Sequence, residues 1–108
     1  MADRRAFVYI DSDGEYRVYP GVVLLEDPLG PADKFKLINM TGVEFDVEIP
    51  AGAFGRGPFK EKLKGKGSQG DKIGPLKPET GGAYSYVVKD ANGKKAKGNS
   101  DPVIIIDM

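Results

Sequence analysis

The alternation of apolar and polar positions is clearest in residues 43–49. The apolar positions there are all β-branched or aromatic: Val43, Phe45, Val47 and Ile49. The positions between them are acidic: Glu44, Asp46 and Glu48. A period of two over this length predicts a β-strand with one buried and one solvated face. Residues 35–38 predict the preceding strand, with a turn or bulge over residues 39–42.

Residues 7–20 predict a β-hairpin. Asp13-Gly14 supplies the positive φ angles that a two-residue type I′ turn requires. In the register that this turn sets, Tyr9 lies opposite Val18, and the aromatic faces of the two arms match. The segment from Asp11 also resembles the start of a calcium loop, but it lacks the glycine at the sixth position and the acid at the twelfth. The turn is therefore the favoured interpretation.

The remaining segments add strands and no sizeable helix. The apolar runs at residues 22–25 and 103–106 predict strands covered on both faces, or a sheet corner for the first run. Residues 83–89 alternate again and put Tyr84, Tyr86 and Val88 on one face. Residues 26–33 contain two prolines and a glycine and predict a loop. The whole chain, residues 1–108, therefore predicts one all-β domain: a two-sheet antiparallel β-sandwich of about seven or eight strands with Greek-key connections, cupredoxin-like or Ig-like.

Residues 51–80 form a Gly/Lys-rich stretch that predicts a long loop region within this domain. Inside it, residues 59–64 fit either one helical turn or a short strand with outward lysines, and residues 72–77 fit another short strand. Residues 65–70 are similar to a phosphate-cradling loop. A P-loop carries Lys and Ser or Thr after its last glycine, whereas Asp71 follows here. A solvated loop is favoured, with weak polyanion binding through the lysines as the alternative.

The amino-acid composition excludes several kinds of catalytic and metal-binding site. The chain has no Cys, His or Trp, which removes thiolates and imidazoles as nucleophiles, bases or metal ligands. Its 16 basic and 16 acidic residues give a formal net charge of zero, so no global attraction to nucleic acid or membranes is expected. No apolar run approaches a membrane span, and no apolar segment follows the basic N-terminus as in a signal peptide. We expect a cytoplasmic protein if Met1 is the native start, and an exported one if Met1 begins a trimmed domain.

The order of these segments resembles the cupredoxin family over residues 34–108. The resemblance rests on a strand ending in Asn39, a Thr-Gly turn, an alternating strand, a Gly-rich excursion, a Gly-x-Tyr-x-Tyr strand and an apolar final strand. It implies a β-sandwich. The positions equivalent to the copper ligands fall near Phe45, Val88, Ala91 and Ala96, and none of these side chains binds copper. The resemblance therefore implies a metal-free member without a cofactor or electron transfer.

Three functional hypotheses remain. The first is a non-catalytic binding or interaction module with an unknown protein or small-molecule partner and no specific nucleic acid. Its proposed binding residues are those where an aromatic is interleaved with cations: Arg56, Phe59, Lys60 and Lys62. The second is a structural subunit that assembles through its edge strands. Without such assembly, we expect a monomer or a weak homo-oligomer.

The third hypothesis is a carboxylate enzyme that uses the acids of residues 44–48, whose alternate positions stand about 7 Å apart. A solvated sheet surface explains the same acids more simply.

Two minor alternatives concern other residues. One is a hard-cation site at Asp11, Asp13 or Glu15. The other is N-glycosylation at Asn39, for which a tight turn is the favoured explanation.

Overall fold

The computed structural model describes residues 3–26, 33–97 and 101–108. The predicted loop at 26–33 lies mostly outside these residues. Within them the chain forms ten strands and no helix, so the all-β prediction is confirmed. The strands are β1 (Asp3–Ile10), β2 (Tyr16–Tyr19), β3 (Val22–Glu26), β4 (Lys34–Asn39), β5 (Phe45–Ile49), β6 (Phe59–Leu63), β7 (Lys72–Leu76), β8 (Gly82–Ser85), β9 (Val87–Lys89) and β10 (Val103–Asp107).

The strands form three sheets. The four-stranded sheet has the order β2-β1-β4-β7, and the two three-stranded sheets have the orders β3-β10-β8 and β6-β5-β9. The prediction of purely antiparallel sheets was wrong, because β1 pairs with β4 and β10 pairs with β3 in parallel. Each parallel pair joins strands distant in the chain, so no local turn signal in the sequence announces it.

The inward faces of all three sheets contribute to one hydrophobic core. The alternating segment behaves as predicted, since Phe45, Val47 and Ile49 are buried and Asp46 and Glu48 point outward. β4 and β5 are consecutive in the chain but belong to different sheets. The turn at residues 40–44 therefore carries the chain from one sheet to another.

The predicted register of the first hairpin was wrong by one residue. Val8, not Tyr9, lies opposite Val18. The loop contains three residues rather than two: the N–H of Gly14 donates to the Asp11 carbonyl at 3.1 Å, and the N–H of Asp11 donates to the Glu15 carbonyl at 2.9 Å. Gly14 has a φ of +80°, as the last residue of such a loop requires. Because strand side chains alternate, the shift turns the aromatic residues of β1 away from the core.

Three further expectations need correction. Residues 83–89 do not form one strand, because β8 pairs with β10 and β9 pairs with β5 in another sheet. The chain switches sheets at Tyr86, which is buried and in edge-to-face contact with Phe35. The runs at 22–25 and 103–106 are buried on one face only, since Leu24 and Ile105 are exposed. The described residues form ten strands in three sheets rather than the predicted seven or eight in two, and β6 and β7 are the short strands that the sequence allowed within residues 51–80.

The corner at Asn39 ties the sheets together. The Asn39 side chain is 1% exposed and its amide N–H groups donate to the carbonyls of Val43 and Lys64, at 2.7 and 2.9 Å. Its amide oxygen accepts from the backbone N–H and the hydroxyl of Thr41, at 2.9 and 2.8 Å. One side chain thus links the end of β4, the following turn and the residue after β6. A buried amide with all these partners fits the turn interpretation rather than a glycosylation acceptor.

Candidate ligand-binding surfaces

The four residues proposed from the sequence do not share one surface. Phe59 pairs with Ile49 and packs against the core, whereas Lys60 and Lys62 point outward from β6. Arg56 lies in the exposed part of the turn region between β5 and β6. The aromatic ring and the two lysines therefore do not form one continuous patch. Their joint role as a binding site stays a prediction.

The outer face of the β6-β5-β9 sheet, which we call the charge-balanced face, pairs opposite charges in register. Asp46 lies opposite Lys62 on one side and Lys89 on the other, and Glu48 lies opposite Lys60. The Lys62 ammonium donates to the Asp46 carboxylate at 2.9 Å, and this hydrogen bond raises the pKa of Lys62. The acids that suggested an enzyme thus face lysines across the strands, which is the ordinary arrangement of a solvated sheet.

The acids at the first hairpin form a turn. One Asp11 oxygen accepts from the N–H groups of Asp13 and Glu15, both at 2.9 Å, and the other accepts from Arg17 at 2.9 Å. The hydrogen bond from Arg17, followed by that from the Glu15 N–H, lowers the pKa of Asp11. In the described part of the chain, no group of three or more acidic side chains is arranged to hold a metal ion.

The glycine-rich loop at residues 65–70 is attached to the Asn39 corner. The N–H of Lys66 donates to the Thr41 carbonyl at 2.6 Å, and the N–H of Lys64 donates to the Gly70 carbonyl at 3.0 Å. A Cβ at Gly65 would stand 2.8 Å from the Gly42 carbonyl oxygen, so the glycine allows close approach of two backbone segments. These glycines and amides serve packing and loop closure.

Of the positions that the resemblance aligns with copper ligands, Phe45, Val88 and Ala96 are buried in the core and Ala91 is exposed. The N–H of Ala96 donates to the Val88 carbonyl at 2.7 Å, and both residues are buried. Phe45 contacts the Tyr16 ring edge-to-face, with centroids 5.0 Å apart. Aromatic and aliphatic side chains thus fill this part of the core.

Tyr16 and Asp90 join β2 to the end of β9 beside this part of the core. The Tyr16 hydroxyl donates to Asp90 at 2.9 Å, and this bond raises the pKa of Tyr16. Burial alone would raise the pKa of Asp90. The N–H of Lys94, the Tyr16 hydroxyl and the N–H of Asn92 outweigh it and hold the pKa of Asp90 below its usual value.

A shallow groove of about 440 Å³ lies next to this pair, between the hairpin and residues 93–97. The Lys94 ammonium stands 5.0 Å from the centre of the Tyr16 ring and 3.4 Å from the Glu15 carboxylate. Arg17 binds Asp11, so two of the groove's cations have acidic partners. Lys95 and Lys97 complete the lining.

The outer face of the four-stranded sheet has a different character, and we call it the aromatic–basic face. Because Ala6, Val8, Val18, Phe35, Leu37 and Ile73 are buried, the alternate positions of these strands point outward. The outward residues are Asp3, Arg5, Phe7 and Tyr9 of β1, Arg17 and Tyr19 of β2, Lys34, Lys36 and Ile38 of β4, and Lys72 of β7. Tyr19 is 67% exposed and Tyr9 is 37% exposed.

The strand register brings these side chains into rows. Phe7 lies directly between Tyr19 on β2 and Ile38 on β4. Tyr9 lies opposite Arg17, and Arg5 lies opposite Lys36. Directly opposed residues stand about 5 Å apart and alternate residues of one strand about 7 Å apart. An apolar, mostly aromatic row is thus bordered by cations.

Few acids offset these cations. Five basic residues face outward here, while the acids are Asp3, which lies opposite Lys34, and, just beyond β1, the Asp11 that binds Arg17. Among residues 3–26, 33–97 and 101–108, no acid lies within salt-bridge distance of Arg5, Lys34, Lys36 or Lys72. A chain of zero net charge thus carries a locally basic surface.

Sequence reasoning missed this surface because of the hairpin turn. With a two-residue turn, Phe7 and Tyr9 share the face of the buried Val18, and of the three rings only Tyr19 remains beside the cations. One signal in the sequence favoured the observed face: Asp3 and Arg5 share the parity of Phe7 and Tyr9 along β1, so a continuous strand puts all four on the solvated side.

Comparisons with known protein families and with curated protein sequences found no match. In the described residues, no helix is long and apolar enough to cross a membrane. The function must therefore be inferred from the surfaces themselves.

Proposed function

We propose that this chain is a non-catalytic binding module whose ligand-binding surface is the aromatic–basic face, and that the ligand is anionic. The observation that carries this proposal is a group of three cations around exposed aromatic rings: Arg5, Lys36 and Lys72. Across the described ranges of the chain, these three have neither an ion-pair partner nor an acid directly opposite in the strand register, whereas Lys34 lies opposite Asp3. Exposed cations that lack partners attract an anion at no cost of breaking an internal ion pair.

The charge-balanced face supports this choice by contrast. Each of its lysines stands opposite a carboxylate, so an incoming anion would have to compete with an acid already in register. The absence of His and Cys from the chain supports a binding role over a catalytic one.

Retention on a sulfated-polysaccharide column tests this proposal. Lys34→Gln combined with Lys36→Gln removes two cations from the aromatic–basic face. We expect this variant to elute at clearly lower salt than the wild type, because fewer charges contact the matrix. The measurement is the elution salt concentration of the purified full chain.

The matched control removes two cations from the other face, with Lys60→Gln combined with Lys62→Gln. Both double variants have the same net charge, so global charge cannot separate them. We expect the control to elute near the wild type. A larger loss in the control than in the Lys34/Lys36 variant would overturn the proposal and favour the residues proposed from the sequence.

We further propose that the three sheets form a metal-free, cupredoxin-like β-sandwich. The burial of Phe45, Val88 and Ala96 in one core, with the Val88 carbonyl bound by the N–H of Ala96, supports this assignment, since these are positions that the family resemblance aligns with copper ligands. The chain lacks every imidazole and thiolate that a blue-copper site needs. An experimental structure whose sheets enclose the core in another arrangement would contradict the assignment.

Assembly is a second candidate function, supported by the outer face of the β3-β10-β8 sheet. Val22 is 56% exposed, Leu24 45% and Ile105 37%, and they lie in register on two adjacent strands. A second copy of the chain would bury these side chains. Size-exclusion chromatography with light scattering tests this idea: a concentration-dependent dimer that Leu24→Lys abolishes supports it, and a monomer at all concentrations contradicts it.

A further inference from the structure

We infer that the anionic ligand of the aromatic–basic face is single-stranded nucleic acid, bound without sequence preference. This inference rests on the proposed function and adds the class of ligand to it. It depends on three properties of the face: the exposure of its rings, the position of its cations and its shape.

The rings are the first property. Tyr19 and Tyr9 are exposed and Phe7 is half-buried between Tyr19 and Ile38. A ligand that offers only charge would leave this apolar row in water. The bases of a single strand are free to stack on aromatic side chains, and each stacked base contributes about 1–3 kcal/mol.

The cations are the second property. Arg5 and Lys36 lie opposite each other on one side of the aromatic row, and Arg17, which also binds Asp11, lies beside Tyr9 on the other side. Lys72 lies opposite Ile38 on the far side of β4. Cations on several sides of an aromatic row match a strand whose bases cover the rings while its phosphates pass along the border.

The shape is the third property. The outward residues belong to four adjacent strands of one sheet, so the face is an open surface. A duplex keeps its bases stacked inside, where flat rings cannot reach them, and the described residues contain no helix to enter a groove. Stacking accepts any base, so the surface predicts tolerance of sequence. A sulfated polysaccharide would contact the cations without using the rings as base platforms.

Fluorescence anisotropy on the full-length wild-type chain tests the inference. The probes are fluorescein-labelled oligothymidylate and oligouridylate of about 12 nucleotides, within the usual site size of such surfaces. The duplex of the same length is the comparison. We expect saturable binding of one or both single strands, at least about 10-fold tighter than the duplex, since only the single strands stack.

Two substitutions separate stacking from charge. Tyr19→Ala should weaken binding of the single strand about 5- to 100-fold, as expected for loss of a stacked base, and should leave the polysaccharide column result unchanged. Lys36→Gln should reduce the slope of log affinity against log salt by about 0.7, the value for one phosphate of a single strand. Met108→Ala, which removes an exposed apolar side chain that follows β10 of another sheet, is the control and should bind as the wild type does.

The outcomes distinguish the inference from the function on which it rests. Equal affinity for duplex and single strand, an unchanged affinity of Tyr19→Ala, or no binding of either single strand overturns the inference. If the Lys34/Lys36 variant still elutes early from the polysaccharide column, the proposed anion-binding function survives that result. If the column does not distinguish the Lys34/Lys36 variant from the Lys60/Lys62 variant and the chain does not prefer single strands to the duplex, both proposals are wrong.

Discussion

The aromatic–basic face and the charge-balanced face carry cations in different ways. On the charge-balanced face, lysines of β6 and β9 stand opposite acids of β5, and the Lys62–Asp46 pair forms a 2.9 Å hydrogen bond. On the aromatic–basic face, the strands that neighbour β1 contribute more cations instead of acids. The same residue type is thus neutralised on one face and available on the other. Net charge, which is zero, hides this difference, and only strand pairing reveals it.

The largest expected effect follows from breaking the connection between the two faces. Asn39 ends β4, which carries the aromatic–basic face, and its side chain binds the carbonyl of Lys64 just after β6 of the charge-balanced face. Asn39→Asp would set a carboxylate against two carbonyl oxygens in a buried site. We expect a loss of about 3 kcal/mol or more in the free energy of unfolding. Urea denaturation measures it.

Asn92→Asp provides the matched control, because Asn92 is exposed in the turn after β9. This variant should stay within about 0.5 kcal/mol of the wild type. Similar losses at both positions would show that the Asn39 corner does not hold the sheets together.

A second prediction concerns the turn that directs the aromatic residues outward. Gly14 has a φ of +80°, and a Cβ at this position meets nothing within 4 Å, so its role is conformational rather than steric. Gly14→Val should cost about 1–2 kcal/mol of unfolding free energy, because β-branched residues disfavour positive φ. The variant should also weaken retention on the polysaccharide column if part of the population loses the three-residue loop.

Gly57→Val is the control for this change. Gly57 also has open space where a Cβ would stand, but it does not adopt a positive φ. It should therefore tolerate valine with little loss of stability. Equal stability of the two variants would contradict the role of the turn in setting the register.

The sequence was sufficient for the class of structure and for individual strands. The uninterrupted alternation of apolar and polar residues identified β5 and its buried face. A period of two indicates a β-strand with one buried face when every apolar residue is β-branched or aromatic. The sequence did not predict which strands pair with each other. Parallel pairing of β1 with β4 joins segments that share no turn, and the switch of sheets at Tyr86 lies inside a faultless alternating segment.

The surface was less predictable than the core because it depends on register. Val8 and Tyr9 are both suitable for burial, so β1 alone leaves its orientation undecided. One additional loop residue, Ser12, decides it and exposes Tyr9. The lysines of residues 60–66 form a run in the sequence, yet Lys60 lies opposite Glu48, 12 residues earlier, and Lys62 binds Asp46, 16 residues earlier.

A third prediction uses pH to test the second link between the sheets, the Tyr16–Asp90 bond. The pKa of Asp90 is lowered in the folded chain, so its contribution to stability is complete above its unfolded value, about pH 4, and is lost as pH falls through the folded pKa. The pKa of Tyr16 is raised, so its contribution is complete below about pH 10 and is lost as pH rises through the folded pKa.

Thermal unfolding from strongly acidic to strongly alkaline pH measures both limbs. Asp90→Asn should make the acid limb less steep, with a remainder from Asp11, whose pKa is also lowered. Tyr16→Phe should make both limbs less steep, with an alkaline remainder from Tyr86, whose pKa is raised by burial. If both variants keep the wild-type pH profile, with only a uniform shift in melting temperature, the hydrogen bond does not link stability to ionisation.

The smallest effect is expected on the charge-balanced face itself. Lys62 and Asp46 are both well exposed, with side-chain exposures of 64% and 42%, so water and salt screen their attraction. Lys62→Gln and Asp46→Asn should each change the melting temperature by less than about 3 °C, and the double variant should be close to the sum of the two. Low salt should slightly enlarge the coupling energy between the Lys62 and Asp46 side chains, and high salt should remove it.

A strong coupling energy that persists in high salt would mean that the charge-balanced face holds its lysines rigidly. The contrast in anion binding between the two faces would then be even sharper. If the coupling energy is zero, these lysines are unavailable to an anion because of the strand register and not because of the strength of the ion pair.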